Sequence, residues 1–104
     1  MIEITSSNFH SVSDSRNTVV LDFHAEWCQP CKIMAPVLEN LQTNRPDIIV
    51  GSVDVDKQPQ LVEKFAISSL PTVLVYRNGR VEKKMVGISS LNDLEEAVSE
   101  HVLQ

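Results

Sequence analysis

The sequence predicts a single α/β domain in which a mixed β-sheet carries helices on both faces. Three observations lead there. Residues 18–23 and 48–55 are nearly continuous apolar runs rich in β-branched side chains, the composition of strands covered on both sides. Between them Ile33, Met34, Val37, Leu38 and Leu41 recur at helical spacing, which makes a βαβ unit with parallel strands. Further on, Asn78-Gly79 is a two-residue hairpin signal between two more strand-like runs, so the same sheet gains antiparallel strands.

The elements follow in order. Residues 2–5 form a short strand. Ser6 or Ser7 is placed to cap a helix running to about Ser13. The strand over 18–23 carries one charged residue, Asp22, among apolar neighbours. A loop over 24–30 leads into a helix that begins at Cys28 or Pro30 and runs to about Thr43. Pro36 lies inside this helix and predicts a kink, while Asn44 and Pro46 mark its end. After the strand over 48–55, residues 58–65 read as a helix with Leu61, Val62 and Phe65 on one side. Strands over 71–76 and 81–86 flank the Asn78-Gly79 turn. Ser90 opens a last helix with Leu91, Leu94, Val98 and Val102 on its apolar face. The count is five strands and four helices, packed as layers.

Size and composition agree. The 104 residues suit one domain over 1–104, without repeats or linkers, and suffice for a core without metal or disulfide staples. An apolar fraction of 42% and a charged fraction of 22% are those of an ordinary globular chain. The formal net charge of −5 argues against nucleic acid as a partner, because phosphate binding needs clustered Lys and Arg. No apolar run approaches the eighteen or so residues of a membrane span. The start, Met1-Ile2-Glu3-Ile4-Thr5, lacks the basic and apolar regions of a secretion signal, so a cytoplasmic protein is expected.

The chemistry concentrates at Cys28-Gln29-Pro30-Cys31. In a reducing compartment such a pair is catalytic or metal-binding rather than a structural staple. A structural zinc site needs four ligands, and His10, His24 and His101 are scattered, so no metal is expected. A spacing of three at a helix start puts both sulfurs on one face, near enough to cross-link. Unpaired N–H groups and the helix dipole favour a thiolate there and lower its pKa. Cys28, nearer the end and more exposed, is the expected nucleophile, and Cys31 the resolving thiol. Pro30 fits the first turn and stiffens the loop. Trp27 reads either as a docking surface beside the sulfur or as a core residue. Asp22 reads either as a buried carboxyl whose raised pKa suits it to take a proton from Cys31, or as a solvated residue at a strand end.

The stretch Val20-Leu21-Asp22-Phe23-His24-Ala25-Glu26-Trp27-Cys28-Gln29-Pro30-Cys31-Lys32 closely resembles the active-site region of the thioredoxin family. Ala35-Pro36, Val53-Asp54-Val55-Asp56, Leu70-Pro71-Thr72, Asn78-Gly79 and Val86-Gly87 extend the resemblance at family spacing over nearly the whole chain. It implies the thioredoxin fold, a central mixed five-stranded sheet flanked by four helices. It implies a protein-disulfide reductase in which Cys28 forms a mixed disulfide that Cys31 resolves, with Asp22 assisting Cys31. It implies a cis peptide bond before Pro71 and a docking surface of Trp27, Gln29, Pro30, Leu70, Pro71, Val86 and Gly87. The partners it implies are disulfide-containing proteins and an NADPH-dependent thioredoxin reductase. The chain itself should be a monomer with no cofactor beyond the Cys28–Cys31 disulfide, since it has no Gly-rich nucleotide loop.

Three residues depart from the family's usual pattern. Gln29 stands where glycine is usual, Ser52 where many members have lysine, and His24 where an aromatic is common. On a strand extended through it, His24 lies on the same side as Asp22, where it reads either as a solvated loop histidine or as a partial stand-in for the missing lysine. Two alternatives to a general reductase follow. One is a dedicated redox partner of a single enzyme, or a more oxidising isomerase-like protein. The other is a non-catalytic thioredoxin-fold assembly subunit.

Overall fold

A computed structural model describes residues 1–14 and 16–99. Its elements are β1 (Ile2–Glu3), α1 (Phe9–Ser13), β2 (Val19–His24), α2 (Gln29–Asn44), β3 (Ile49–Asp54), α3 (Pro59–Lys64), β4 (Thr72–Arg77), β5 (Arg80–Val86) and α4 (Leu91–Ser99). The five strands form one sheet in the order β1-β3-β2-β4-β5. β3 pairs in parallel with both β1 and β2, whereas β4 pairs antiparallel with β2 and β5. His101 and Val102, assigned above to a scattered histidine and to the last apolar face, lie outside the described residues.

β2 is the middle strand, and its first five residues are all buried. Strand alternation sorts them. Val19, Leu21 and Phe23 pack with Phe9 of α1 and Leu61 of α3. Val20 faces the other way, into a cluster with Met34, Leu38 and Leu41 of α2 and Leu94, Ala97 and Val98 of α4. Asp22 and His24 continue the Val20 row, so they come out on the α2 side. At the β1 edge of the sheet, the side chain of Ile4, just past β1, packs over Gly51 of β3, where a Cβ would overlap it.

The turns explain the element ends. Asn78 and Gly79 have φ of 52° and 81°, the left-handed pair that a tight two-residue hairpin requires. Ser90 caps α4: its Oγ accepts from the Asp93 N–H at 3.0 Å. Neither Ser6 nor Ser7 caps α1, which starts later than expected. Asn8 Oδ1 accepts from the Thr5 N–H at 2.8 Å and Thr5 Oγ1 accepts from the Asn8 N–H at 3.2 Å, so this reciprocal pair holds the entry and delays the helix to Phe9. α2 runs unbroken through Pro36. Gln42 ties its end to β3, donating to the Ile48 carbonyl at 2.9 Å and accepting from the Val50 N–H at 2.8 Å.

α3 closes with a testable feature. The Ala66 N–H bonds to the Glu63 carbonyl and the Ile67 N–H to the Val62 carbonyl, at 3.2 and 3.0 Å. This is the paired closure that normally has glycine at its left-handed position, yet Ala66 holds φ of 52°. Left-handed backbone costs an L-residue about 1–2 kcal/mol, partly offset by glycine's larger unfolded-state entropy. Ala66→Gly should therefore stabilise the protein by about 0.5–1 kcal/mol, read as a higher urea midpoint at unchanged slope.

Candidate active site

The carboxyl end of β2 and the start of α2 bring the site together. Cys28 is the N-cap of α2, with extended backbone (φ −94°, ψ 107°). Its Sγ accepts from the Cys31 N–H at 3.3 Å. The sulfur therefore sits where the first turn presents its unpaired donors, which is the arrangement that favours a thiolate. Pro30, in that first turn, gives up no bond because its missing N–H has no partner inside the helix. A disulfide joins Cys28 to Cys31, with the Cα atoms 5.3 Å apart.

The expected difference in exposure between the two cysteines is absent. Cys28 is 5% and Cys31 4% exposed, both packed with Ala25 against Val55 and Leu70. Position separates them instead: Cys28 caps the helix, while Cys31 borders the cavity at Asp22.

Trp27 is not a core residue. It is 69% exposed, and its Nε1–H donates to Asp56 Oδ2 at 2.9 Å. Asp56 is held in turn by its own N–H, which bonds to Asp54 Oδ1 at 2.9 Å. The exposed ring is thus fixed by a neighbouring loop. Gln29 and Pro30 are exposed beside it. The Leu70–Pro71 peptide bond is cis, and the Gly87 N–H donates to the Pro71 carbonyl at 2.9 Å. Gly87 has φ of 89° with open space where a Cβ would stand, so its backbone turn requires glycine and its outer side is clear. Val86, beside it, is exposed.

Met1, Ile2, Ile33, Val81 and Ile88 are exposed apolar residues as well, and the exposure of Ile33 and Ile88 is not evident from sequence. Helical spacing groups Ile33 with the apolar residues of α2. The buried positions there are Cys31, Met34, Leu38 and Leu41, and a helix turns about 100° per residue, so Ile33 falls outside that stripe. Ile88 carries no sequence signal, and Asp56, though part of the Val53-Asp54-Val55-Asp56 match, gives no local sign that it holds Trp27.

Asp22 is buried, 2% exposed, which excludes the solvated reading. Desolvation pushes its carboxyl from 3.8 up to about 7. Its Oδ1 has no hydrogen-bond partner. It lines a cavity of about 440 Å3 with His24, Cys31, Lys32, Ala35 and Ser52, among others. Ser52 lies directly across from Asp22 in the β2–β3 register, so no cation reaches the carboxylate from that position. A carboxyl of this kind can exchange a proton near neutral pH, and it lines the same cavity as Cys31. Among the described residues no group of three or more His, Cys, Asp and Glu side chains could hold a metal ion. Nor, among them, is any helix long and apolar enough to cross a membrane.

Comparison with known proteins fits this geometry. The sequence model of the family described as Thioredoxin matches residues 1–100. The chain is similar to the thioredoxin of Chlamydia trachomatis, 34% identical over 101 residues that cover 97% of this chain and 99% of that one. It is 40% identical over 88 residues to the thioredoxin of Mycobacterium bovis, covering 83% of this chain and 76% of the relative. Its fold matches the crystal structure of mitochondrial thioredoxin 3 from Saccharomyces cerevisiae in the oxidised form, with a TM-score of 0.87 and 28% identity over 96% of this chain and 94% of that one.

Proposed function

The chain belongs to the thioredoxin family and is a thiol–disulfide oxidoreductase, and from that premise we propose how its active site divides the work. Cys28 is the attacking thiolate. The observation that carries this is its N-cap position, with Sγ accepting the Cys31 N–H. In the reduced protein the same donor stabilises the anion. Attack on a substrate disulfide forms a mixed disulfide and releases the first substrate thiolate. Asp22 then takes the proton of Cys31, whose thiolate attacks Cys28 Sγ. The second substrate thiolate leaves, and the Cys28–Cys31 disulfide is formed. Two electrons have passed to the substrate through the sulfur pair alone, with no further cofactor.

In this reading exposed Trp27, Gln29, Pro30 and Val86 form the docking surface with Gly87, while half-buried Leu70 and buried Pro71 contribute to it through the cis bond rather than through exposed side chains. The exposed apolar side chains of Trp27 and Val86 support it, because apolar surface left open beside a reactive group suits protein substrates. The cycle runs in the cytoplasm of a monomer. Cysteine usage supports that compartment: both cysteines are spent on the working pair and none on a structural staple. An NADPH-dependent thioredoxin reductase returns the disulfide to the dithiol.

Insulin reduction tests this. Turnover driven by NADPH and a thioredoxin reductase should match turnover driven by dithiothreitol. Turnover with dithiothreitol alone would overturn the assigned reductase and leave the sulfur chemistry standing.

A further inference from the structure

The reaction leaves a proton on Asp22 each time Cys31 is deprotonated, and that proton has to leave before the carboxyl can work again. Asp22 is 2% exposed and its Oδ1 meets no protein donor or acceptor. Its outlet is the cavity of about 440 Å3, far larger than the roughly 30 Å3 that one water occupies. His24 stands on that outlet. It is two residues along β2 on the same face, roughly 7 Å from Asp22 along the strand, and half-buried where the strand ends. We propose that His24 relays the proton between Asp22 and solvent, acting on disulfide exchange through Asp22 rather than on the sulfurs.

The other groups around the cavity suit this task less. β2 contributes Asp22 and His24, the following loop Glu26, α2 Cys31 and Lys32, β3 the Ser52 hydroxyl, and the start of the chain Met1 with its amino group. An exposed carboxylate gives its proton away at neutral pH and a lysine-type ammonium keeps it, while the α-amino group of Met1 precedes β1, which β3 separates from β2. Imidazole both takes up and releases one there. The balance is simple. Cys31 S–H gives its proton to Asp22, Asp22 passes it through His24 to solvent, and reduction of the disulfide returns a proton by the same route.

The inference rests on the reading of Asp22 as the acceptor, so the experiment separates the two. Oxidation of the reduced protein by a disulfide peptide would be followed by stopped flow, from about pH 6 to 9 in dilute buffer. His24→Gln keeps a polar side chain without a titrating proton. It should slow exchange about fivefold near pH 7, less than the hundredfold or more of a direct acid–base group, because water in the open cavity still carries some protons. His24→Ala should show the same loss, and added imidazole should restore it without changing the wild type. In an Asp22→Asn background, His24→Gln should cost nothing further. A His24→Gln profile that superimposes on wild type, a loss that ignores imidazole, or an additive loss in the Asp22→Asn background would each overturn the relay. Asp22→Asn without effect on exchange would instead overturn the acceptor role itself, and the relay with it. Thermal midpoints of both His24 variants separate a slowed reaction from a misfolded chain.

Discussion

Cys31→Ser should turn the protein from a catalyst into a covalent trap. Cys28 keeps its place at the cap of α2, so it still attacks a substrate disulfide. The serine hydroxyl that replaces the resolving thiol cannot displace sulfur from sulfur, and the reaction stops at the mixed disulfide. Mass spectrometry should find one substrate chain per protein, released by dithiothreitol, and insulin turnover should fall by roughly a thousandfold or more. Cys28→Ser should lose turnover to the same extent and trap nothing. The double variant should be no worse than Cys28→Ser, because the two thiols act as one unit. Sustained turnover by Cys31→Ser would mean that the second sulfur is dispensable and that the two-thiol cycle is wrong.

Asp22→Asn should make the protein more stable and slower at once. The carboxyl titrates near 3.8 in ordinary surroundings and at about 7 in the fold. Between those values the folded chain holds a proton that the unfolded chain has released. Stability from this group is therefore fully present below about pH 4 and is lost progressively as pH rises to about 7. Three units of difference correspond to about 4 kcal/mol, the cost of keeping a buried carboxylate with an unpartnered oxygen. Asparagine has the same shape and never ionises. Urea unfolding of the oxidised protein should show Asp22→Asn about 2–4 kcal/mol more stable than wild type at pH 8, and nearly equal to it at pH 4. A gain of the same size at both pH values would show that packing, not ionisation, is responsible. The same variant should slow exchange near neutral pH, where Cys31 would have lost its base. Opposite effects on stability and rate are the signature of a group kept for chemistry at the expense of the fold.

Local pattern carried most of this protein. Runs of β-branched residues, helical spacing, Asn78-Gly79 and Ser90 specified the strands, helices, hairpin and last cap, because each signal acts on residues that are neighbours in the chain. The position of Cys28 and Cys31 at a helix start was legible for the same reason, and strand alternation already put His24 beside Asp22. What the chain could not state locally was which surface each side chain would meet. Periodicity did not show that both sulfurs would be buried alike, since Ala25, Val55 and Leu70 close over them from three separate segments. Nor did it show that Trp27 would face outward, held by Asp56 from the loop after β3. Ile33 and Ile88 looked like ordinary apolar residues until packing left them uncovered. Asp22 was visible as an odd charge in a strand. Only the pairing of β2 between β3 and β4, with α2 across its face, buried that charge, left one oxygen without a partner and opened the cavity beside it. Sequence sets the direction of a side chain from its own backbone, whereas burial and solvation are set by residues far along the chain, which only the tertiary fold brings near.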